Sequence, residues 1–326
     1  MSKTYTTYIT TWGTDPLVQI QDMIAKSVIQ SNTKILLAFA SFNFSSADYI
    51  PGFNITLDET KQITQLVHSC NAKIGLSVGG ATYPFYGSDL YQQPGDLATN
   101  INNILTTCNF DSVDFDIEDS YQTVPSNFSN QAASLINTLK SLNSNLSITL
   151  TTPAQAWATG CYQQQLINLT IGNLSAWQPM EYDLWIPSTS DYYSQIQYDI
   201  NFYLTTWGIN PQKLILGLMP GKDDMSHDLS LQDSLNLTSF VISKNLLGVM
   251  TWDANIDSTG VDGNAPYAYS LGIQSMLNKS QIQRIPGGLV PKVETLDAEN
   301  PKDFLEYGAC ERLRINNRSA KRRKTG

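Results

Sequence analysis

Short runs of apolar, β-branched and aromatic residues recur along the chain, each followed by a longer stretch of helical periodicity. Residues 8–13, Tyr-Ile-Thr-Thr-Trp-Gly, make the first such run. Asp15-Pro16 then opens a helix to about residue 31, with proline at an early helical position where its missing N–H is harmless. Residues 34–42 are almost continuously apolar, the pattern of a strand covered on both faces. The same alternation continues: helix 58–70, strand 73–80, helix 94–107, strand 110–118, helix 125–142, strand 146–153, helix 163–171, strand 176–185, helix 192–206, strand 213–221, helix 231–244, strand 248–253 and helix 266–277. Eight strands alternating with eight helical stretches over about 280 residues predict an α/β chain folded as a (β/α)8 TIM barrel. Residues 1–282 are assigned to that single domain and 283–326 to a linker and tail.

One strand stands apart. In the run Phe110-Asp111-Ser112-Val113-Asp114-Phe115-Asp116-Ile117-Glu118, alternation puts Asp114, Asp116 and Glu118 on one face and Val113, Phe115 and Ile117 on the other. The surrounding βα rhythm implies burial on both faces. Three carboxylates on the inner face of a buried strand repel one another and resist desolvation, so their pKa values are pushed apart. That is costly as structure and useful as acid–base chemistry. A solvated acidic edge strand does not fit the rhythm. A Ca²⁺ loop would have Gly and Asn between its acids instead of Val, Phe and Ile. Asp111 has the opposite parity and is assigned a structural role.

Asp111-x-x-Asp114-x-Asp116-x-Glu118 resembles the signature of glycoside hydrolase family 18, the chitinase and endo-β-N-acetylglucosaminidase family. Ser112 departs from the glycine usual there, and Ile117 before the last acid resembles the bacterial and plant-type branch. Ser77-x-Gly79-Gly80 is similar to the family's second motif, and Met180-x-Tyr182-Asp183 to the one that supplies a phenol and a carboxylate to the sugar site. Trp252, closing the last strand, resembles the tryptophan that floors that site. Only about 25 residues separate the seventh and eighth strands, so the α+β insertion that some members carry has no room and the cleft is expected to be shallow.

The resemblance implies substrate-assisted retaining hydrolysis of β-1,4-linked N-acetylglucosamine, in which the substrate's own acetamido oxygen is the nucleophile. Glu118 is then the general acid and base, Asp116 orients the acetamido group, Asp114 shares a proton with Asp116, and Tyr182 holds the acetamido carbonyl. Asp183 supports that end of the site and Trp252 stacks on the sugar. Trp12, Tyr83, Trp157 and Trp185 are candidates for neighbouring subsites, and Ser77, Gly79, Gly80, Gln178 and Met180 for further substrate contacts. No cofactor and no metal is implied. Alternatives are an enzyme that cuts the chitobiose core of N-glycans and a chitin-binding lectin that does not cleave. Retention of Glu118 weighs against the lectin.

Composition narrows the picture further. With 41% hydrophobic residues the chain can bury a large core. A formal net charge of -9 makes nucleic acid an unsuitable partner for the barrel. No apolar run approaches the ~20 residues of a membrane span. Residues 1–4 run into a strand pattern with no apolar leader, so the expectation is a cytoplasmic chain or export by a leaderless route. Cys70, Cys108, Cys161 and Cys310 are widely scattered and read as buried free thiols. With only His68 and His227 in the chain, a transition-metal site is not expected. Residues 312–324 hold seven Lys/Arg and no acid after Glu311, a solvated tail by default and a nuclear-import or anion-binding patch as the sharper reading. A monomer is expected.

Overall fold

The structure, a computed structural model, describes residues 3–45, 48–120, 122–154, 161–184, 186 and 191–282. Strands β1 (Thr4–Thr10), β2 (Thr33–Ala40), β3 (Lys73–Gly79), β4 (Ser112–Asp116), β5 (Ser147–Pro153), β6 (Ala176–Met180), β7 (Ile215–Leu218) and β10 (Gly248–Thr251) close into one barrel. Around the barrel the order is β1-β10-β7-β6-β5-β4-β3-β2, and every pairing is parallel. Each strand is followed by a helix: α1 (Pro16–Ala25), α2 (Leu57–Ser69), α3 (Pro94–Thr107), α4 (Phe128–Leu142), α5 (Tyr162–Thr170), α6 (Tyr192–Thr205), α7 (Leu231–Ser243), and, after β10, the short α8 (Ala254–Asp257) with α9 (Ala268–Ile282). This is the predicted (β/α)8 TIM barrel. A two-stranded hairpin, β8 (Gly221–Lys222) with β9 (Asp228–Leu229), lies between β7 and α7. The sequence pattern did not predict it.

Strand alternation divides the core in two. Outward residues such as Ile35, Leu37, Val113, Phe115, Leu150 and Trp177 pack beneath the helices. Inward residues Tyr8, Leu36, Ala38, Met180, Ile215 and Met250 form a separate cluster inside the barrel. The apolar inner cluster fills only part of the barrel. Toward β3, β4, β5 and β6 the interior carries Ser77, Asp114, Thr149, Thr151 and Gln178, all buried and polar. Such groups are tolerated only because they bond one another.

Local chemistry sets the helix starts. Asp15 accepts the N–H of Leu17 at 2.8 Å ahead of Pro16, and Thr56 with Glu59 makes a reciprocal capping box at α2. Asp111 accepts from Lys73 Nζ at 2.7 Å, His68 Nε2 at 2.8 Å and the Ile74 N–H at 3.0 Å, which ties β3 to the start of β4. Cys70, Cys108 and Cys161 are free thiols. Cys108 is buried as expected, and burial pushes its thiol up to about 11. Cys70 and Cys161 are only half-buried, because each ends or begins a helix at the surface. Among the described residues no helix is long and apolar enough to cross a membrane.

Several predicted strands have different limits, the seventh among them, which runs only Ile215–Leu218. The first begins at Thr4, because Thr6 and Tyr8 already alternate into the barrel. The fourth stops at Asp116 and the sixth at Met180. Glu118, Tyr182 and Asp183 therefore sit just past the strand ends, in the loops at the C-terminal face where barrels of this kind place their sites.

Candidate active site

Asp114 is the buried hub of the site. Its Oδ2 accepts from the Tyr8 hydroxyl at 2.8 Å and the Ser77 hydroxyl at 2.8 Å. Its Oδ1 accepts from Thr149 at 2.7 Å, Thr151 at 2.9 Å and the Gln178 amide at 3.2 Å. The donors come from β1, β3, β5 and β6, so one carboxylate joins five strands across the barrel. Ser77 and Gln178, expected to touch substrate, are fully buried and bonded to this hub instead.

Asp116 lies one layer higher on β4 and is 2% exposed. Burial first, then the charges of Glu118 and Asp114, push its carboxyl well above the usual carboxylate range. Its Oδ1 has no hydrogen-bond partner among the described residues. Glu118 is half-buried at the mouth of the barrel. Burial, with the charges of Asp183 and Asp119, raises its carboxyl to about 7, against a hydrogen bond from the Ala81 N–H that lowers it. A carboxyl poised at that value can both give and take a proton near neutral pH.

Tyr182 and Asp183 follow β6 directly. Tyr182 packs in the inner cluster beside Tyr8, Phe39, Met180 and Trp252. Burial and the nearby Asp116 and Glu118 charges hold its phenol protonated far above its ordinary range, so it remains a donor. Asp183 adopts φ 54°, in the left-handed region. That conformation is locked by a reciprocal clamp: the Asp183 N–H donates to Asp223 Oδ2 at 2.7 Å, and the Asp224 N–H donates to Asp183 Oδ1 at 2.7 Å. The Asp223 carboxylate also accepts from the N–H groups of Met225 at 3.0 Å and His227 at 2.8 Å. The hairpin β8–β9 thus grips the end of β6.

The apolar wall is an aromatic stack. Trp252 lies nearly parallel to Phe39, with centroids 5.2 Å apart and planes at 12°, and meets Tyr8 edge-on at 5.3 Å. Trp12, 41% exposed, stacks on Phe39 at 6.0 Å. Tyr83 packs against the same inner cluster. The peptides Ala38–Phe39 and Trp252–Asp253 are both cis. At Gly79, φ is 117° and a Cβ would stand 2.0 Å from the Asp116 carbonyl; at Gly80, φ is 76° and a Cβ would enter the Phe39 ring. Both positions need glycine, but for the approach of β4 and Phe39 rather than of a ligand. Trp157 and Trp185 lie outside the described residues.

Phe39, Tyr8, Asp119 and Asp223 belong to the site region and were not singled out in the sequence. Phe39 sits in an unbroken apolar run, where inward and outward positions look alike. Tyr8 was visible as a strand residue whose inward parity is shared by Thr6 and Thr10. Asp223 lies in a loop whose hairpin carries no strong turn signature.

The fold and this acid-lined mouth define a barrel of the glycosidase type. The model for glycosyl hydrolases family 18 matches residues 4–227, and the chain belongs to that family. No curated protein sequence matches it. Among solved structures, it is similar in fold to active domain 2 of a thermostable chitinase from Pyrococcus furiosus, solved with chito-oligosaccharides. That pair shares 17% identity over 86% of this chain and 96% of the other, with a TM-score of 0.68. A family 18 chitinase from Pseudoalteromonas aurantia matches at 18% identity over 84% and 100% of the two chains, TM-score 0.67. The Group IV chitinase of Ostrinia furnacalis, solved with allosamidin, matches at 17% identity over 85% and 99%, TM-score 0.65.

Proposed function

We propose that this chain is a chitinase-type glycoside hydrolase that cleaves β-1,4 linkages between N-acetylglucosamine units within a chain, with retention at the anomeric carbon. The observation that carries the reading is the pairing of Glu118, raised to about 7 at the barrel mouth, with the more deeply buried Asp116 one layer below, whose carboxyl is also pushed well above the usual range. In this reading Glu118 gives its proton to the glycosidic oxygen as the bond to the anomeric carbon breaks. The substrate's acetamido oxygen attacks that carbon and forms an oxazolinium ion. Asp116 accepts a hydrogen bond from the acetamido N–H and balances the positive charge, while the Tyr182 phenol donates to the acetamido oxygen and aligns it. Glu118, now a carboxylate, takes a proton from water, which opens the intermediate from the same face. Trp252 floors the ring, with Tyr83 and Trp12 beyond it.

The test is product analysis on N-acetylglucosamine oligomers, following the anomer formed, for the parent and Glu118→Gln. Release of β-anomer by the parent and its loss in the variant is the expected result. Release only from a high-mannose glycoprotein would assign the enzyme to N-glycan cores. Binding of oligomers with no product from the parent would make the chain a lectin.

A further inference from the structure

Asp119, the residue after the proposed acid, is 3% exposed and takes no part in the reaction described above. Its Oδ2 accepts the Phe85 N–H at 2.9 Å and its Oδ1 accepts the Tyr86 N–H at 2.8 Å. These are paired bonds from one carboxylate to two successive amides, of the charge-assisted and stronger kind. The segment they hold is tied to the end of β4 at its other end too. The Gly80 N–H donates to the Asp116 carbonyl at 2.9 Å, and the Ala81 N–H donates to Glu118 itself. Phe85 is wholly buried between Phe42, Tyr91 and Phe128, which anchors the segment from below. Residues 80–86 are therefore a strap whose ends are bonded to positions 116, 118 and 119, and whose middle presents Tyr83 to the inner aromatic cluster.

We propose that Asp119 is a positioning residue for the general acid: by pinning the strap at Phe85 and Tyr86 it fixes the Ala81 N–H on Glu118 and the ring of Tyr83 beside the cleft. The proposal rests on the role given to Glu118 above. Asp119 also contributes to the high proton affinity of Glu118. The other titratable groups facing these two acids are Asp116 on β4, Tyr182 and Asp183 after β6, Tyr162 on α5 and Tyr91 ahead of α3. Replacing Asp119 by Asn changes the charge but leaves those groups in place. It also sets an amide NH₂ against one of two N–H donors, so at least one strap bond must break.

The experiment is amide hydrogen exchange on the full chain, with a ¹³C-NMR titration of the Glu118 carboxyl, for the parent and Asp119→Asn. In the parent, the Phe85 and Tyr86 amides should be protected although Tyr86 is exposed. In the variant their exchange should speed up at least about tenfold, while Val113 and Phe115 keep their protection. The Glu118 midpoint should move up by a measurable fraction of a pH unit, because loss of the Ala81 hydrogen bond that favours the carboxylate outweighs loss of the Asp119 charge that opposes it. Free exchange at Phe85 and Tyr86 in the parent would overturn the strap, and that measurement stands even if the variant does not fold. Loss of protection with a Glu118 midpoint that stays or moves down, as loss of the Asp119 charge alone would give, would overturn the positioning role. Neither readout needs turnover, so a parent that hydrolyses nothing would refute the proposed function and leave the strap to be judged by its own amides.

Discussion

The Tyr8 hydroxyl donates to Asp114 Oδ2 at 2.8 Å across the barrel interior, and both residues are wholly buried. With four more donors on the same carboxylate, its lone pairs are occupied. The acid pair on β4 is thereby made asymmetric. Asp114 is surrounded by donors, whereas Asp116 has one oxygen with no partner among the described residues and a carboxyl pushed strongly upward. Asp116 holds its proton more tightly than an ordinary carboxyl, because it is buried beside the charges of Glu118 and Asp114.

Asp114→Asn is expected to destabilise the barrel and reduce turnover together. The new amide cannot accept from the Gln178 Nε2 on its nitrogen side, and hydroxyls aimed at Oδ1 or Oδ2 must rotate. Leaving buried donors unsatisfied costs about 1–3 kcal/mol each at most, and the network shares the loss. A fall in stability of about 2–4 kcal/mol, read from urea midpoints, is expected. Tyr8→Phe removes a single donor and should cost about 1 kcal/mol. Equal stability of Asp114→Asn and the parent would show that the hub is not what holds these strands together.

Glu118→Gln should be more stable than the parent, and only above acid pH. Its folded-state carboxyl is raised from the ordinary 4.5 to about 7, so the folded chain holds this proton more tightly than the unfolded one. The stability this affords is fully present below about pH 4.5 and is lost as pH rises through about 7. Glutamine at 118 has no proton to lose. The gap between variant and parent should open between those two pH values and reach at most about 3 kcal/mol, less for solvent screening at a half-buried group. Guanidinium titrations of both proteins at about pH 4 and about pH 8, on either side of that window, test this. A gap that does not grow with pH would mean that Glu118 is not raised.

Much of this site is legible from parity alone. The inward set Asp114, Asp116 and Glu118 follows from the period of a strand, and the structure keeps that direction even though β4 ends at Asp116. The roles of Ser77 and Gln178 were not legible, because their partner Asp114 lies on another strand and register is a property of pairing: Ser77 stands opposite Asp114, and Gln178 opposite Thr151. Phe39 was hidden for a related reason. A strand covered on both faces has no polar alternation to mark which residues look inward. The clamp of Asp183 by Asp223 joins two loops 40 positions apart in sequence, and no local pattern encodes that contact.

Asp223→Ala should weaken turnover without replacing any group assigned to the reaction. The substitution strands the N–H groups of Asp183, Met225 and His227 together, and frees the left-handed turn that follows Tyr182. The expected outcome is a loss of about 2 kcal/mol in stability and a fall in kcat that exceeds any rise in KM, since Tyr182 is lost from its aligned position more than substrate is lost from the cleft. Steady-state kinetics on an N-acetylglucosamine oligomer beside a urea melt separate the two effects. Unchanged kcat with reduced stability would confine Asp223 to holding the hairpin.

Trp252 and Trp12 touch the same ring, Phe39, yet their removal should read differently. Trp252 is half-buried, parallel to Phe39 at 5.2 Å and edge-on to Tyr8 at 5.3 Å, so it covers the inner cluster and leaves part of its own surface exposed. Trp12 is 41% exposed, and its contact with Phe39 is longer, at 6.0 Å. Trp252→Ala uncovers Phe39 and Tyr8, and a buried aromatic truncation of this kind costs about 3 kcal/mol or more, somewhat less here for partial exposure. In a Glu118→Gln background, in which the proposed function expects oligomer to bind uncut, calorimetric titration with N-acetylglucosamine oligomers should show binding weakened by about a hundredfold in Trp252→Ala. Trp12→Ala should weaken it only a few-fold and leave the thermal midpoint unchanged, as expected for stacking at an outer subsite. Binding that is equally weakened by both would place the sugar across Phe39 from both sides, and binding untouched by Trp252→Ala would remove the floor from the proposed site.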